Sequence, residues 1–422
     1  MQQGWISNPV LSVDAAVCGE NEDQRHIAFD LRQKIGKELS FMKILLVTDQ
    51  YYSANNGVTI SARRFAKVLC EHGHEVRILS YGEKQDVSDP DSAYLLPKLT
   101  VPIFDGLISA QGMTFAWPDK DIIRKAVAWA DLVHVLLPFA LSHRCIKIAQ
   151  EMHKPYTGAF HVQPENITSS IHMAKVQFIN AGVYRWFHHY VYRHCSHIHC
   201  PSNFIAGELK RRGYTEQLHV ISNGIDPDFV YRKLPKTDRF AGKFVILMVG
   251  RLSVEKRQNI LIQAVAKSKY ADRIQLVLAG EGPRKKPLKR QGSKLPNPVY
   301  IHFFQKQELL DMIAVSDLYV HAASMEAEAM SCMEAFASGL VPIIANSKKS
   351  ATPQFALDER SLFKADDSTE LAHKIDYWIE HEAQRKEMEH AYSELGKRYN
   401  LEFCVGEIEK MFEAAVAENT KK

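Results

Sequence analysis

The sequence predicts an α/β protein made of two Rossmann-like, doubly wound domains. Three observations carry that expectation. Residues 42–80 run from an apolar stretch, Ile44–Val47, through an Asn55-Asn56-Gly57 turn into Ala62, Phe65, Ala66, Val68 and Leu69 at helical spacing, then past Gly73 into "EVRILS". That is a strand, a glycine turn, a helix and a strand. The same grammar restarts at Phe244–Val249, where Gly250 opens a loop and a helix follows. Between and after these units come further short strand-like runs that end at small or polar loops, the economical reading of which is two α/β domains.

The elements follow in order. "ADLVHVLLP", "HKPYTGAFH", "SHIHCPS" and "LHVISNGID" continue the first strand series; "IQLVLAGEGP", "LYVHAAS" and "LVPIIANS" continue the second. Residues 1–41 contain no core-like strand and are expected to be a dispensable extension, with Met42 as the functional start. The first domain then spans 42–235 and the second 236–395, with 396–422 a C-terminal helix returning toward the first. "KLPKTDRFAGK", rich in charge and holding Pro235 and Gly242, suits a linker within 226–243.

Composition narrows the function classes. At 422 residues the chain exceeds one ordinary core. A net charge of +4 argues against a dedicated nucleic-acid binder. Seven cysteines without a Cys-x-x-Cys pair suit reduced thiols and a cytoplasmic protein. No apolar run approaches the roughly 20 residues of a spanning helix, and the N-terminus lacks a signal-peptide pattern.

Ligands of open α/β sheets collect beyond the carboxyl ends of the strands. In the second domain that edge carries Gly250, Arg251, Lys256, Gly280, Gly282, Glu326 and Glu334. Cations beside a helix start suit a diphosphate. Glycines let backbone approach a neighbour closely. Glu326 is expected in the loop after "LYVHAA", with a helix from about Glu328 to Ser338 and Gly339 as its stop. Glu334 falls inside that helix among Met330, Cys332, Met333 and Phe336, an apolar setting in which a carboxylate needs partners such as sugar hydroxyls.

Four motifs, "VISNGID", "VGRLSVEK", "LVLAGEGP" and "EAEAMSCMEAFASG", occur in an order and spacing that resembles the family 4 retaining glycosyltransferases of the GT-B fold, over about residues 43–415. The resemblance implies a hexosyltransferase using a nucleotide sugar, UDP-glucose or UDP-galactose, without a metal or other cofactor. It assigns the diphosphate to Arg251 and Lys256, the sugar hydroxyls to Glu326 and the ribose to Glu334. Gly57, Gly250, Gly280, Gly282, Ala329 and Met330 join the donor site, and His161 stands near the reacting sugar. His161, Arg251, Lys256 and Glu326 form the implied catalytic set. The chain departs from the family's Glu-Gly-Phe-Gly with Glu-Ala-Glu-Ala, so that Glu328 adds a charge expected to bear on sugar choice. Asp89-Pro90-Asp91 is read as a turn and not a metal site, and the histidines and cysteines of 194–200 as strand residues.

The segments "HVQPEN" and "ASMEAEAMSCMEAFASGLVPIIA" resemble those of the bacterial glycolipid-forming members, which implies a lipid acceptor such as diacylglycerol or ceramide. Residues 173–194 set aromatics beside cations, and Lys175, Arg185, Trp186, Phe187 and Arg193 are the candidates for an acceptor-side, anionic membrane surface, with the protein peripheral on the inner face. The basic run Arg284–Lys294 is read as a solvated helix face. Rival readings are a surface-polysaccharide glycosyltransferase, a nucleotide-sugar epimerase and a donor-binding scaffold without turnover.

Overall fold

The structure, a computed structural model, describes residues 41–421 except 53–56, 88–91, 101–113, 166–176 and 237. The expected extension up to residue 40, Asn55, Asn56, Asp89–Asp91 and Lys175 lie outside the described residues. The chain divides into two compact units. One holds the described residues up to Ala159 with His189–Ile198 and the chain from Lys410 on; the other holds Phe160–His188 and His199–Glu409.

The first half of the chain supplies β1 (Lys43–Gln50), β2 (Glu75–Tyr81), β3 (Ala93–Leu96), β4 (Lys98–Leu99), β5 (Phe115–Ala116), β6 (Leu132–Val135), β7 (Tyr156–Ala159), β8 (His197–Cys200) and β9 (Gln217–Val220). Helices α1 (Gly57–Glu71), α2 (Lys120–Trp129), α3 (Ala140–Glu151), α4 (Gln177–Tyr190) and α5 (Asn203–Arg211) lie between them. The main sheet orders its strands β3-β2-β1-β6-β7-β8-β9, and its pairs from β3 to β7 are parallel. Ile44, Leu45, Leu46 and Val47 are all buried, which is why β1 reads as an unbroken apolar run.

The second half supplies β10 (Phe244–Val249), β11 (Ile274–Ala279), β12 (Tyr300–His302), β13 (Leu318–His321), β14 (Pro342–Asn346) and β15 (Leu362–Lys364). Its helices are α6 (Gln258–Lys267), α7 (Lys285–Gly292), α8 (Lys306–Val315), α9 (Met330–Ala337), α10 (Ser368–Glu380), α11 (Glu382–Lys397) and α12 (Leu401–Asn419). Six parallel strands run β12-β11-β10-β13-β14-β15. The order reverses at β10, so the loops after β10, β11 and β13 emerge side by side, the place where such sheets bind ligands.

The expected linker is fixed to the second unit: Lys233 pairs with Glu389, Lys236 with Asp317, and Leu234 N–H donates to the Ala314 carbonyl at 3.1 Å. Its charges thus find carboxylates a helix away instead of solvent. Among the cysteines, Cys145, Cys195, Cys200, Cys332 and Cys404 are buried free thiols. The end of α12 packs within the first unit, where Phe412 meets His134 at 5.0 Å between ring centres and Asn419 donates to the His153 carbonyl at 2.8 Å. No helix of the described residues is long and apolar enough to cross a membrane.

Candidate functional site

Beyond β13 the chain turns out of the sheet and is pinned by backbone. Glu326 forms an isolated parallel bridge with Ser350, and Ala351 N–H donates to its carbonyl at 2.9 Å. Ser324 N–H donates to the Glu255 carbonyl at 2.9 Å, which ties the β13 loop to the β10 loop. The Glu326 side chain is thereby brought to Lys256, whose ammonium donates to Oε1. His321 Nε2 lies 3.1 Å from the same oxygen. The Glu326 side chain is 13% exposed and that of Lys256 19%. Burial alone would push this carboxyl up, but the Lys256 charge and the His321 contact together hold it down at about 2. It is ionised at neutral pH.

Helix α9 begins at Met330, two residues later than the sequence pattern predicts. Ala329 sits at φ 77° in the left-handed region and ends the loop there. The positive end of the helix dipole lies at Met330, four residues after Glu326. Glu334 is buried on this helix at 9% exposure, and Gly339, at φ 85°, is the predicted stop. Glu326 and Glu334 therefore sit on different elements, one in a loop and one in a helix.

The cationic loop after β10 is placed by glycines. Gly250 N–H donates to the Ala279 carbonyl at 2.9 Å and Leu252 N–H to the Glu281 carbonyl at 2.8 Å, so the 250–252 and 279–282 segments are zipped together. Gly280 and Gly282 have φ of +154° and +155°, and a Cβ there would stand 2.2 Å from the Gly250 oxygen and 2.5 Å from the Leu252 oxygen. What these glycines approach is thus protein backbone. The Lys256 stem lies over Gly250, where a Cβ would be 3.6 Å from Cε. Arg251 is exposed, with no ion-pair partner among the described residues.

Glu328, the departure from the family pattern, is buried at 4% and bonded to the chain after β9. Asn223 donates to it from its backbone N–H at 3.1 Å and from Nδ2 at 2.6 Å. Ser202 Oγ donates to the neighbouring Ala327 carbonyl at 2.6 Å. Burial pushes the Glu328 carboxyl up to about 7, even against its bonds from Ser222 and Asn223. A carboxyl raised in the fold keeps its proton between about 4.5 and 7 while the unfolded chain releases it, so this group's contribution to stability falls as pH rises through that window. The loss is roughly 3 kcal/mol for this group alone. Urea midpoints from pH 4.5 to 8 are expected to show a shallower decline for Glu328→Gln than for the wild type; parallel curves would refute the assignment.

The remaining candidates fall elsewhere. Gly57 is the exposed first residue of α1, with open space around its Cα. His161 is buried at 9% after β7 and packs edge-on against His199, ring centres 5.1 Å apart. Arg185 and Arg193 are exposed, and Trp186 is 47% exposed. Phe187 is fully buried against Phe160 and corrects the surface reading: at the helical period it faces the core while Trp186 faces out.

Sequence reasoning missed two groups. His321 ends β13 five residues before Glu326, and an acid partner at a strand's carboxyl end was the available signal. Asp49, at the end of β1, is buried at 2%; its Oδ1 accepts from Ala116 N–H at 3.1 Å, and burial pushes it up to about 7. It lies inside an apolar strand run and left no separate mark.

Two family models match the chain: "Glycosyltransferase Family 4" over residues 55–229 and "Glycosyl transferases group 1" over 232–397. An alpha-monoglucosyldiacylglycerol synthase of Streptococcus pneumoniae is 26% identical, covering 72% of this chain and 71% of its own. A GDP-mannose-dependent alpha-mannosyltransferase of Corynebacterium glutamicum is also 26% identical, with 72% of each chain covered. The solved structure of Anabaena Alr3699/HepE in complex with UDP matches with a TM-score of 0.69 at 17% identity, covering 88% of this chain and 100% of that one. It shares the two-domain GT-B fold.

Proposed function

From the premise that this chain belongs to the family 4 glycosyltransferases of GT-B fold, we propose that it moves a hexose from a nucleotide sugar, UDP-glucose or UDP-galactose, to a lipid alcohol such as diacylglycerol or ceramide. The observation that carries the donor half is the Glu326 carboxylate, ionised and held by Lys256 in the loop that leads into α9. An ionised, partly exposed carboxylate is a strong acceptor for sugar hydroxyls. The cations of Arg251 and Lys256 and the N–H groups of α9 suit a departing diphosphate, whose charge they offset as it develops.

In this reading, attack comes on the face the diphosphate leaves, the configuration is retained, and the leaving phosphate takes the acceptor's proton. Arg251, Lys256 and backbone N–H groups carry the charge without a metal. Glu334 serves the ribose and His161 the reacting sugar. The lipid half is supported by the synthase relative named for monoglucosyldiacylglycerol and by Phe178 and Trp186, 77% and 47% exposed on α4 near exposed Arg185. Rings and cations of this kind suit an anionic interface, with the enzyme peripheral on the cytoplasmic face. The mannosyltransferase relative favours a second donor, GDP-mannose.

One experiment tests the whole reading. Purified protein is given radiolabelled UDP-glucose, UDP-galactose or GDP-mannose with diacylglycerol, ceramide or cholesterol in anionic vesicles, and the same samples are floated. Label in the organic phase with UDP-hexose, and protein floating at low salt, are expected. Transfer only from GDP-mannose would move the donor. Conversion of donor without acceptor, or binding without turnover, would replace the transferase reading. Vesicles left unbound would remove the membrane surface.

A further inference from the structure

We propose that His321 is a positioning residue that sets the orientation of the Glu326 carboxylate, holding one oxygen so that the other is presented to the donor sugar. Lys256 and His321 both engage Oε1. No described residue is bonded to Oε2, and the side chain keeps 13% of its surface open. A carboxylate with one oxygen fixed twice and the other free presents a directed acceptor. Lys256 alone would not fix it, because an ammonium on a four-carbon stem swings with its partner.

The imidazole is itself held. His321 is completely buried at the end of β13. Its Nδ1 edge faces the Tyr319 hydroxyl at 3.4 Å, which lies 3.2 Å from Ser331 Oγ. Ser331 in turn donates to the Val249 carbonyl at 3.2 Å. The ring is thus braced by the first turn of α9 and the end of β10, the same elements that frame the site. Glu326, ionised, accepts only, so the nitrogen facing it carries a proton. Burial keeps the ring's pKa low, which leaves a neutral imidazole with that proton on Nε2. With Nδ1 unprotonated and the Ser331 proton on the Val249 carbonyl, the one Tyr319 proton goes either to Nδ1 or to Ser331, so these groups form a packed polar cluster around the ring and not one continuous chain; such a supporting shell holds a reacting group within a fraction of an ångström.

This inference rests on the reading that Glu326 meets the donor sugar, and the test separates the two. His321→Asn keeps an amide near Nδ1 but loses the reach to Glu326; His321→Gln carries an amide N–H to the Nε2 position. For His321→Asn, kcat/KM for the nucleotide sugar is expected to fall about 100-fold, as for a misplaced reacting group. His321→Gln is expected to recover most of that loss. Affinity for the free nucleoside diphosphate, which has no sugar (UDP, or GDP if the donor panel selects GDP-mannose), is expected to stay within about twofold in both. Wild-type kcat/KM in His321→Asn overturns the proposal. So does an equal loss in His321→Gln, or a matching loss of diphosphate affinity, since either marks a merely structural role. If the histidine variants do not fold, Tyr319→Phe decides: a clear drop in kcat/KM with unchanged diphosphate affinity supports the brace, and no change overturns it. Glu326→Ala reports separately on the underlying reading. Full activity there defeats the sugar contact itself, whereas an inactive Glu326→Ala beside a normal His321→Asn defeats only this inference.

Discussion

Lys256→Ala lowers kcat by about 10³-fold at saturating donor, the expected cost of removing one preorganised cation from a charge that grows in the transition state. Two losses combine. In the proposed reading the diphosphate leaves without the partly buried Lys256 ammonium, and Glu326 loses the charge that holds its carboxyl at about 2. The fold also weakens, because a carboxylate 13% exposed keeps only His321. Breaking such a pair costs toward the low end of roughly 3–5 kcal/mol, since both partners still touch water. The pH signature identifies the cause. In the wild type the Glu326 carboxyl is depressed from about 4.5 to about 2, so its contribution is complete above the unfolded value and is lost as pH falls toward 2. In Lys256→Ala burial acts with less opposition, the carboxyl rises, and that acid-side loss shrinks. Glu326→Ala is expected to match the fall in turnover with a smaller loss of stability, because the freed ammonium can reach solvent. Turnover near wild type in both variants, measured by single-turnover transfer, would remove the pair from the mechanism.

Gly280→Ala is expected to be the most damaging small substitution at the site. A left-handed backbone at φ +154° costs an L-residue about 1–3 kcal/mol. The added Cβ would also stand 2.2 Å from the Gly250 oxygen, a backbone atom that no rotamer can move. Relief requires the β10 and β11 loops to part, and Lys256 lies over that seam. Stability should therefore fall by about 3 kcal/mol or more, and donor affinity with it. Gly57→Ala is the control. Nothing lies within 4 Å of its Cβ position, and alanine at the head of a helix costs nothing. Equal thermal midpoints for the two variants would show that the glycine seam is not what places the cations.

The sequence itself carried the two-domain α/β reading, which the paired six- and seven-strand sheets and both family models bear out, as they do the hexosyltransferase class. Strands such as Ile44–Val47 and Phe244–Val249 were legible because a strand covered on both faces must be apolar throughout. Helix α9 was legible within two residues because its apolar set repeats at the helical period. The placing of Glu326 in a loop and Glu334 in a helix followed from those boundaries.

Only the tertiary structure decided what each acid touches. Glu328 stands out in the sequence as an added charge, and the partner it finds, Asn223, is 105 residues away in the chain. Lys256 and Glu326 are 70 apart and meet because β13 is laid next to β10. His321 reaches Glu326 because the loop folds back and is pinned at Ser350. Phe187 and Trp186 are neighbours in sequence and differ from buried to half-exposed, a distinction set by which side of α4 the core occupies. Periodicity records local backbone geometry and the need to bury apolar surface, and so it fixes elements. The partner of a carboxylate depends on strand order and loop closure, which the chain encodes only through the whole packed fold.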